Sequence, residues 1–104
     1  TALPISKVRE LRPNVPIVMV EGPMYTYAKY DSFFKSYLPK KNAAYRKNYE
    51  KLVADGYKNI YYVTCEGLTG DDNEGTVDGI HFTDIGFRRY ADKLIPVLKP
   101  LLEK

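Results

Sequence analysis

An α/β fold is predicted for this chain, with helices alternating with the strands of a small parallel sheet. Two short apolar runs and the helical spacing around them carry the prediction. Val15-Pro16-Ile17-Val18-Met19-Val20 is continuous, apolar and rich in β-branched residues, the pattern of a parallel strand buried on both faces. Asn59-Ile60-Tyr61-Tyr62-Val63-Thr64 is a second run, of β-branched and aromatic residues. Around them, apolar residues return at the spacing that places them on one face of a helix.

The elements follow in order. Residues 3–12 read as a short amphipathic helix with Ile5, Val8 and Leu11 on one face and Ser6, Lys7, Arg9 and Glu10 around it, ended by Pro13-Asn14. The first strand, near 15–21, is broken by Gly22-Pro23. The segment 24–37 then interleaves Tyr25, Tyr27, Tyr30, Phe33, Phe34 and Tyr37 with polar residues. It reads as a loop with a short helix whose aromatics cover the core. Because ligands of open α/β sheets bind beyond the carboxyl ends of the strands, the same tyrosines could border a substrate pocket. Pro39 suits the first position of a second helix, running to about Asp55 with a stripe of Tyr45, Tyr49, Leu52 and Val53 and a stop at Gly56. The second strand, near 59–64, is more amphipathic than the first and suits a place nearer the sheet edge. Gly, Asp and Asn crowd residues 65–80, which argues for a loop. A last helix starts near Thr83, an N-cap type, and carries Phe87, Tyr90, Ala91, Leu94, Ile95, Leu98, Leu101 and Leu102. Pro96 and Pro100 predict a kink or break near Leu94–Ile95 and a second helical piece beyond.

Composition narrows the classes of function. The chain has 104 residues, enough for one small domain, and its 44% hydrophobic and 28% charged content is that of an ordinary globular protein. A net charge of +3, with lysines scattered over helix faces, gives no footprint for nucleic acid. One cysteine, Cys65, excludes an internal disulfide. No apolar run is long enough to cross a membrane. The opening Thr1-Ala2-Leu3-Pro4 runs straight into a helix without an initiator methionine, which points to a piece of a longer polypeptide and leaves the compartment open.

The only histidine stands three residues after an acid, in Asp78-Gly79-Ile80-His81. In a loop with glycine to turn on, the carboxylate can accept a hydrogen bond from one imidazole nitrogen and fix the other as a general base. Such pairs are more often plain loop hydrogen bonds, so the surroundings decide. Asp71, Asp72 and Glu74 lack the spacing of a calcium loop, and no metal site is expected.

The stretch from Gly70 to Phe87, with Asp78-Gly79-Ile80-His81-Phe82-Thr83-Asp84-Ile85-Gly86 at its centre, resembles the last sequence block of the SGNH, or GDSL-type, hydrolases. In that block an Asp-x-x-His pair is followed by a short polar cap, a glycine and the C-terminal helix. The resemblance implies a flavodoxin-like three-layer α/β/α sandwich. The order α-β-α-β-α would be its C-terminal half, and residues 1–104 a single C-terminal fragment of such a domain. It also implies that His81 takes the proton from a serine and returns it to the leaving alcohol, while Asp78 orients the imidazole. In the family the serine lies in a Gly-Asp-Ser block near the N-terminus, and separate glycine and asparagine blocks complete the oxyanion hole; this chain has none of them. Asp31-Ser32 is superficially similar, but Tyr30 stands where glycine belongs. Phe82 follows the histidine where members often have proline.

The expectation is therefore the base-supplying part of a serine esterase or acylhydrolase, working through an acyl-enzyme on a small ester or an acetylated carbohydrate and inactive alone. No cofactor, metal, nucleic acid or membrane is expected as a partner. The expected partner is the missing N-terminal half of the domain, whose absence would leave an apolar sheet edge prone to self-association. The alternative is a non-catalytic α/β module that binds a ligand or partner through the aromatic segment 24–37.

Overall fold

A computed structural model of the chain describes residues 3–23, 29–70 and 72–103. The order is α1 (Leu3–Leu11), β1 (Ile17–Val20), α2 (Ser32–Ala54), β2 (Ile60–Val63) and α3 (Asp84–Leu102). The two strands pair in parallel, from Ile17 beside Ile60 to Val20 beside Val63. The α/β class and the α-β-α-β-α order are those predicted.

Paired residues in a parallel ladder share a face, so Ile17, Met19, Ile60 and Tyr62 point the same way. On that face Met19, Leu52 and Ile60 form the buried core, with Ile5, Tyr45, Tyr49 and Tyr57 packed against them. Burying each of the three is worth about 1.5–3 kcal/mol. Among the described side chains, helix α2 supplies most of the cover and α1 contributes Ile5. Val8 and Leu11, expected on the same face of α1, are 43% and 66% exposed, and Val53 of the α2 stripe is 48% exposed. Three-residue steps drift around a helix of 3.6 residues per turn, which carries Val8 and Leu11 off the sheet, while Val53 directly follows the buried Leu52 and so points about 100° away from it.

The first strand departs from its predicted burial: only Met19 is buried, while Ile17, Val18 and Val20 are half-buried. A run that would be covered on both faces in a wide sheet lies here in a sheet of two strands.

Helix α2 starts seven residues before the expected Pro39. Asp31 caps it, accepting from Phe33 N–H at 2.9 Å and Phe34 N–H at 3.2 Å. Pro39 therefore sits inside the helix. Proline at that point deprives the Lys35 carbonyl of its donor. Both residues are exposed, so water can take the donor's place. The helix closes as foreseen at Gly56 (φ 94). There Tyr57 N–H returns to Leu52 O and Gly56 N–H to Val53 O, each at 3.1 Å.

The early start of α2 also corrects the reading of the aromatics. Phe33 and Tyr37 do not cover the core: they stack on each other at 5.3 Å and are 64% and 46% exposed. Met24, Tyr25 and Tyr27 lie outside the described residues.

Helix α3 is continuous from Asp84 to Leu102 through both prolines, in place of the expected break. Pro96 and Pro100 stand on its exposed side, where the carbonyls they leave unpaired are open to water. Its apolar stripe is largely uncovered: Phe87 is 60%, Ile95 51% and Leu102 82% exposed. The radius of gyration, 15.3 Å, exceeds the about 13 Å of a compact domain of this length.

Candidate active site

The loop from Thr64 to Thr83 leaves the carboxyl end of β2 and brings the acid and the histidine together. Asp78 Oδ1 accepts from Ile80 N–H at 3.0 Å and His81 N–H at 2.8 Å, an Asx-type turn closed by the side chain itself. Its other oxygen, Oδ2, lies 2.6 Å from His81 Nδ1. Gly79 takes φ 92 between them, a backbone conformation that suits glycine. Across the base of the turn Val77 N–H bonds His81 O at 2.8 Å, and Thr76 bridges to Phe82.

The electrostatics follow from this geometry. The His81 backbone N–H, the His81 imidazole and the Ile80 N–H together hold the Asp78 carboxyl well below the usual carboxylate range. An ionised carboxylate only accepts, so the neutral imidazole carries its proton on Nδ1 and presents Nε2 as the basic nitrogen. The His81 side chain is 79% exposed. The pair can thus take a proton from a group brought to it, which is what a triad base does.

The loop is pinned to the start of α3. Thr83 caps the helix by accepting from Gly86 N–H at 3.1 Å, while its hydroxyl donates to Glu74 O at 2.8 Å. Arg89 reaches back to Asp72 with two bonds of 2.7 Å and to Thr69 O at 3.0 Å. That fork lowers the Asp72 carboxyl well below its ordinary value. Lys29 Nζ donates to Asn73 Oδ1, tying the segment before α2 to the same loop.

None of the three serines completes a triad within the described residues. Ser6 bonds the Tyr57 hydroxyl at 3.2 Å, at the amino end of the sheet. Ser32 is the first residue of α2 and Ser36 lies one turn further along it.

Sequence reasoning did not anticipate Glu21. It follows β1 directly and is 4% exposed, the most deeply buried carboxylate among the described residues. Its oxygens accept from the Tyr62 hydroxyl at 2.5 Å, Arg46 at 3.2 Å and Cys65 N–H at 2.9 Å. Burial opposes the charge, but the Tyr62 and Cys65 hydrogen bonds and the Arg46 guanidinium outweigh it and lower the carboxyl below 4.5. Burial and the same carboxylate push the Tyr62 hydroxyl and the Cys65 thiol up. A signal existed in the acid that ends an otherwise apolar strand. Glu21, Cys65 and Glu66 are close enough to be a donor set for a metal. The Glu21 oxygens are already occupied, however, and a thiol held protonated is a poor ligand.

A pH dependence follows. A carboxyl with a folded value below its unfolded value stabilises the fold above the unfolded value, and that stability is lost as pH falls through the folded one. Glu21 should therefore hold its full contribution above about pH 4.5 and lose it below. Urea midpoints should be flat from pH 7 to 5 and fall toward pH 3. In Glu21→Gln the acid fall should be shallower.

Comparison with known proteins bears on the family and the fold. A family model described as the GDSL-like lipase/acylhydrolase family matches residues 2–99. The structure superposes on a crystal structure of a candidate GDSL-like lipase from Bacteroides ovatus with a TM-score of 0.89 and 27% identity. That match covers 95% of this chain and 29% of the other, so the chain spans less than a third of that protein's length. Among curated proteins no relative matches.

Proposed function

The chain belongs to the GDSL-like lipase/acylhydrolase family, and on that premise we propose that it is the base-supplying C-terminal portion of a serine ester hydrolase. His81 takes the proton of a serine supplied by a longer polypeptide as the serine attacks the ester carbonyl, and returns it to the leaving alcohol; the acyl-enzyme is then hydrolysed by water activated in the same way. Asp78 holds the imidazole in the Nδ1–H tautomer. Small esters, acetylated carbohydrates among them, are the proposed substrates.

The 2.6 Å contact between Asp78 Oδ2 and His81 Nδ1, inside the stretch the family model covers, carries this reading. The chemistry asks for a nucleophile and oxyanion donors beyond this chain. The uncovered stripe of α3 and the match to under a third of a longer structure support a partner made of the rest of the same domain. The exposed, stacked Phe33 and Tyr37 favour a second reading, a binding module that meets a ligand through segment 24–37.

The test is hydrolysis of p-nitrophenyl acetate and butyrate by the longer polypeptide, with the 104-residue chain beside it. The longer polypeptide should turn over and the chain alone should not exceed a matched blank. A longer polypeptide inert toward both esters leaves the binding module as the better account.

A further inference from the structure

We propose that Glu21 is a positioning residue for the reaction described above, ending the sheet one rung early and thereby fixing where the His81 loop begins; the inference rests on the esterase reading. In the register of the strands, Glu21 N–H reaches Val63 O at 2.9 Å. The next rung of a parallel ladder would join Cys65 N–H to the Glu21 carbonyl. Cys65 N–H goes instead to the Glu21 carboxylate, to Oε1 at 2.9 Å.

One residue on, the backbone of Gly22 is turned away from β2 altogether. Asn42 of α2 accepts the Gly22 N–H at 3.0 Å and donates to its carbonyl at 2.9 Å, acting as a substitute peptide. Glu21 is 4% and Asn42 7% exposed, so water does not readily replace either partner. The strands part at this point. The chain leaving β1 is drawn to α2, and the chain leaving β2 enters the loop from a fixed amide.

From that amide a run of contacts leads to the histidine. Leu68 N–H bonds Cys65 O at 3.2 Å, and Leu68 is 1% exposed, which anchors the first turn in the interior. Thr69, beside it, is held by Arg89, and Gly75 lies so close to Thr69 that an added Cβ would come within 2.3 Å of Thr69 O. Gly75 O then takes Thr83 N–H at 3.0 Å, and Val77 and His81 close the turn. Displacing Cys65 therefore shifts the base of the catalytic turn, where misplacement by an ångström is enough to slow chemistry.

Reach, not charge, is the property this role demands. Glu21→Gln keeps an oxygen at the same length for Cys65 N–H and loses the charge. Glu21→Asp keeps the charge and withdraws it by one methylene. In the longer polypeptide, with rates normalised by active-site titration, the Gln variant should keep kcat within about threefold and the Asp variant should lose about tenfold or more, both with KM little changed. An Asp variant that equals or exceeds the Gln variant in kcat overturns the proposal, as does a loss confined to KM or to the titre of active sites. His81→Ala beside them separates the two levels. Turnover that survives it overturns the esterase reading; turnover that it abolishes, with kcat of the Asp variant intact, overturns the positioning role alone.

Discussion

His81→Ala in the longer polypeptide is expected to lower kcat for a short-chain ester by on the order of a thousandfold or more, the scale of a lost base in a serine triad. The size follows from the proposed role of His81 as the base and from how little else within these 104 residues could substitute. This is the only histidine of the chain, and its Nδ1 is already committed to Asp78 at 2.6 Å. In the proposed mechanism, removing the ring leaves the serine protonated near neutral pH, with only oxyanion donors and substrate binding to accelerate the reaction. Stability should barely change, because the side chain is 79% exposed. The Asp78 bonds to Ile80 N–H and His81 N–H keep the turn closed in the variant, since both donors are backbone. Steady-state rates together with urea unfolding check both halves. A loss of activity matched by a loss of folded protein would assign His81 a structural part instead.

The second large effect is expected at Gly86, the buried glycine in the first turn of α3. Two forces oppose each other in Gly86→Ala. Helix propensity favours alanine by about 1 kcal/mol. Against it, a Cβ at this position would lie 2.0 Å from Gly75 O and 2.9 Å from Gly75 C. Those atoms are backbone, and no rotamer change can relieve the contact. Overpacking of this kind costs about 1–3 kcal/mol and here should sit at the upper end, because Gly75 is itself closed in against Thr69. The net expectation is a loss of about 2 kcal/mol in urea unfolding, with slower turnover as the loop is pushed off the helix. A stabilised variant would show that propensity wins and that the loop yields freely.

Much of this was legible in the residues. The two apolar runs and the spacing around them predicted α/β order and parallel strands, because burial pattern and chain period are local properties. Asp78 and His81 were legible for the same reason: three residues and a glycine suffice to close their turn, and nothing distant is required. The start of α2 was not. Pro39 carried the stronger local signal, yet the Asp31 cap and the helix it opens prevailed, with the orphaned carbonyl left to water.

Glu21 and Arg89 escaped for a different reason. Their partners lie 44 and 17 residues away, at Cys65 and Asp72, and no spacing announces such pairs. The sequence by itself thus determined the fold class, the family block and the acid–histidine turn, since each depends on neighbours within a few positions. Only the tertiary structure decided where the sheet ends, how the loop is pinned to α3 and which apolar stripes stay uncovered. Those outcomes depend on which distant groups can satisfy a buried carboxylate, a backbone amide or an apolar face, and that is settled only when the chain has folded.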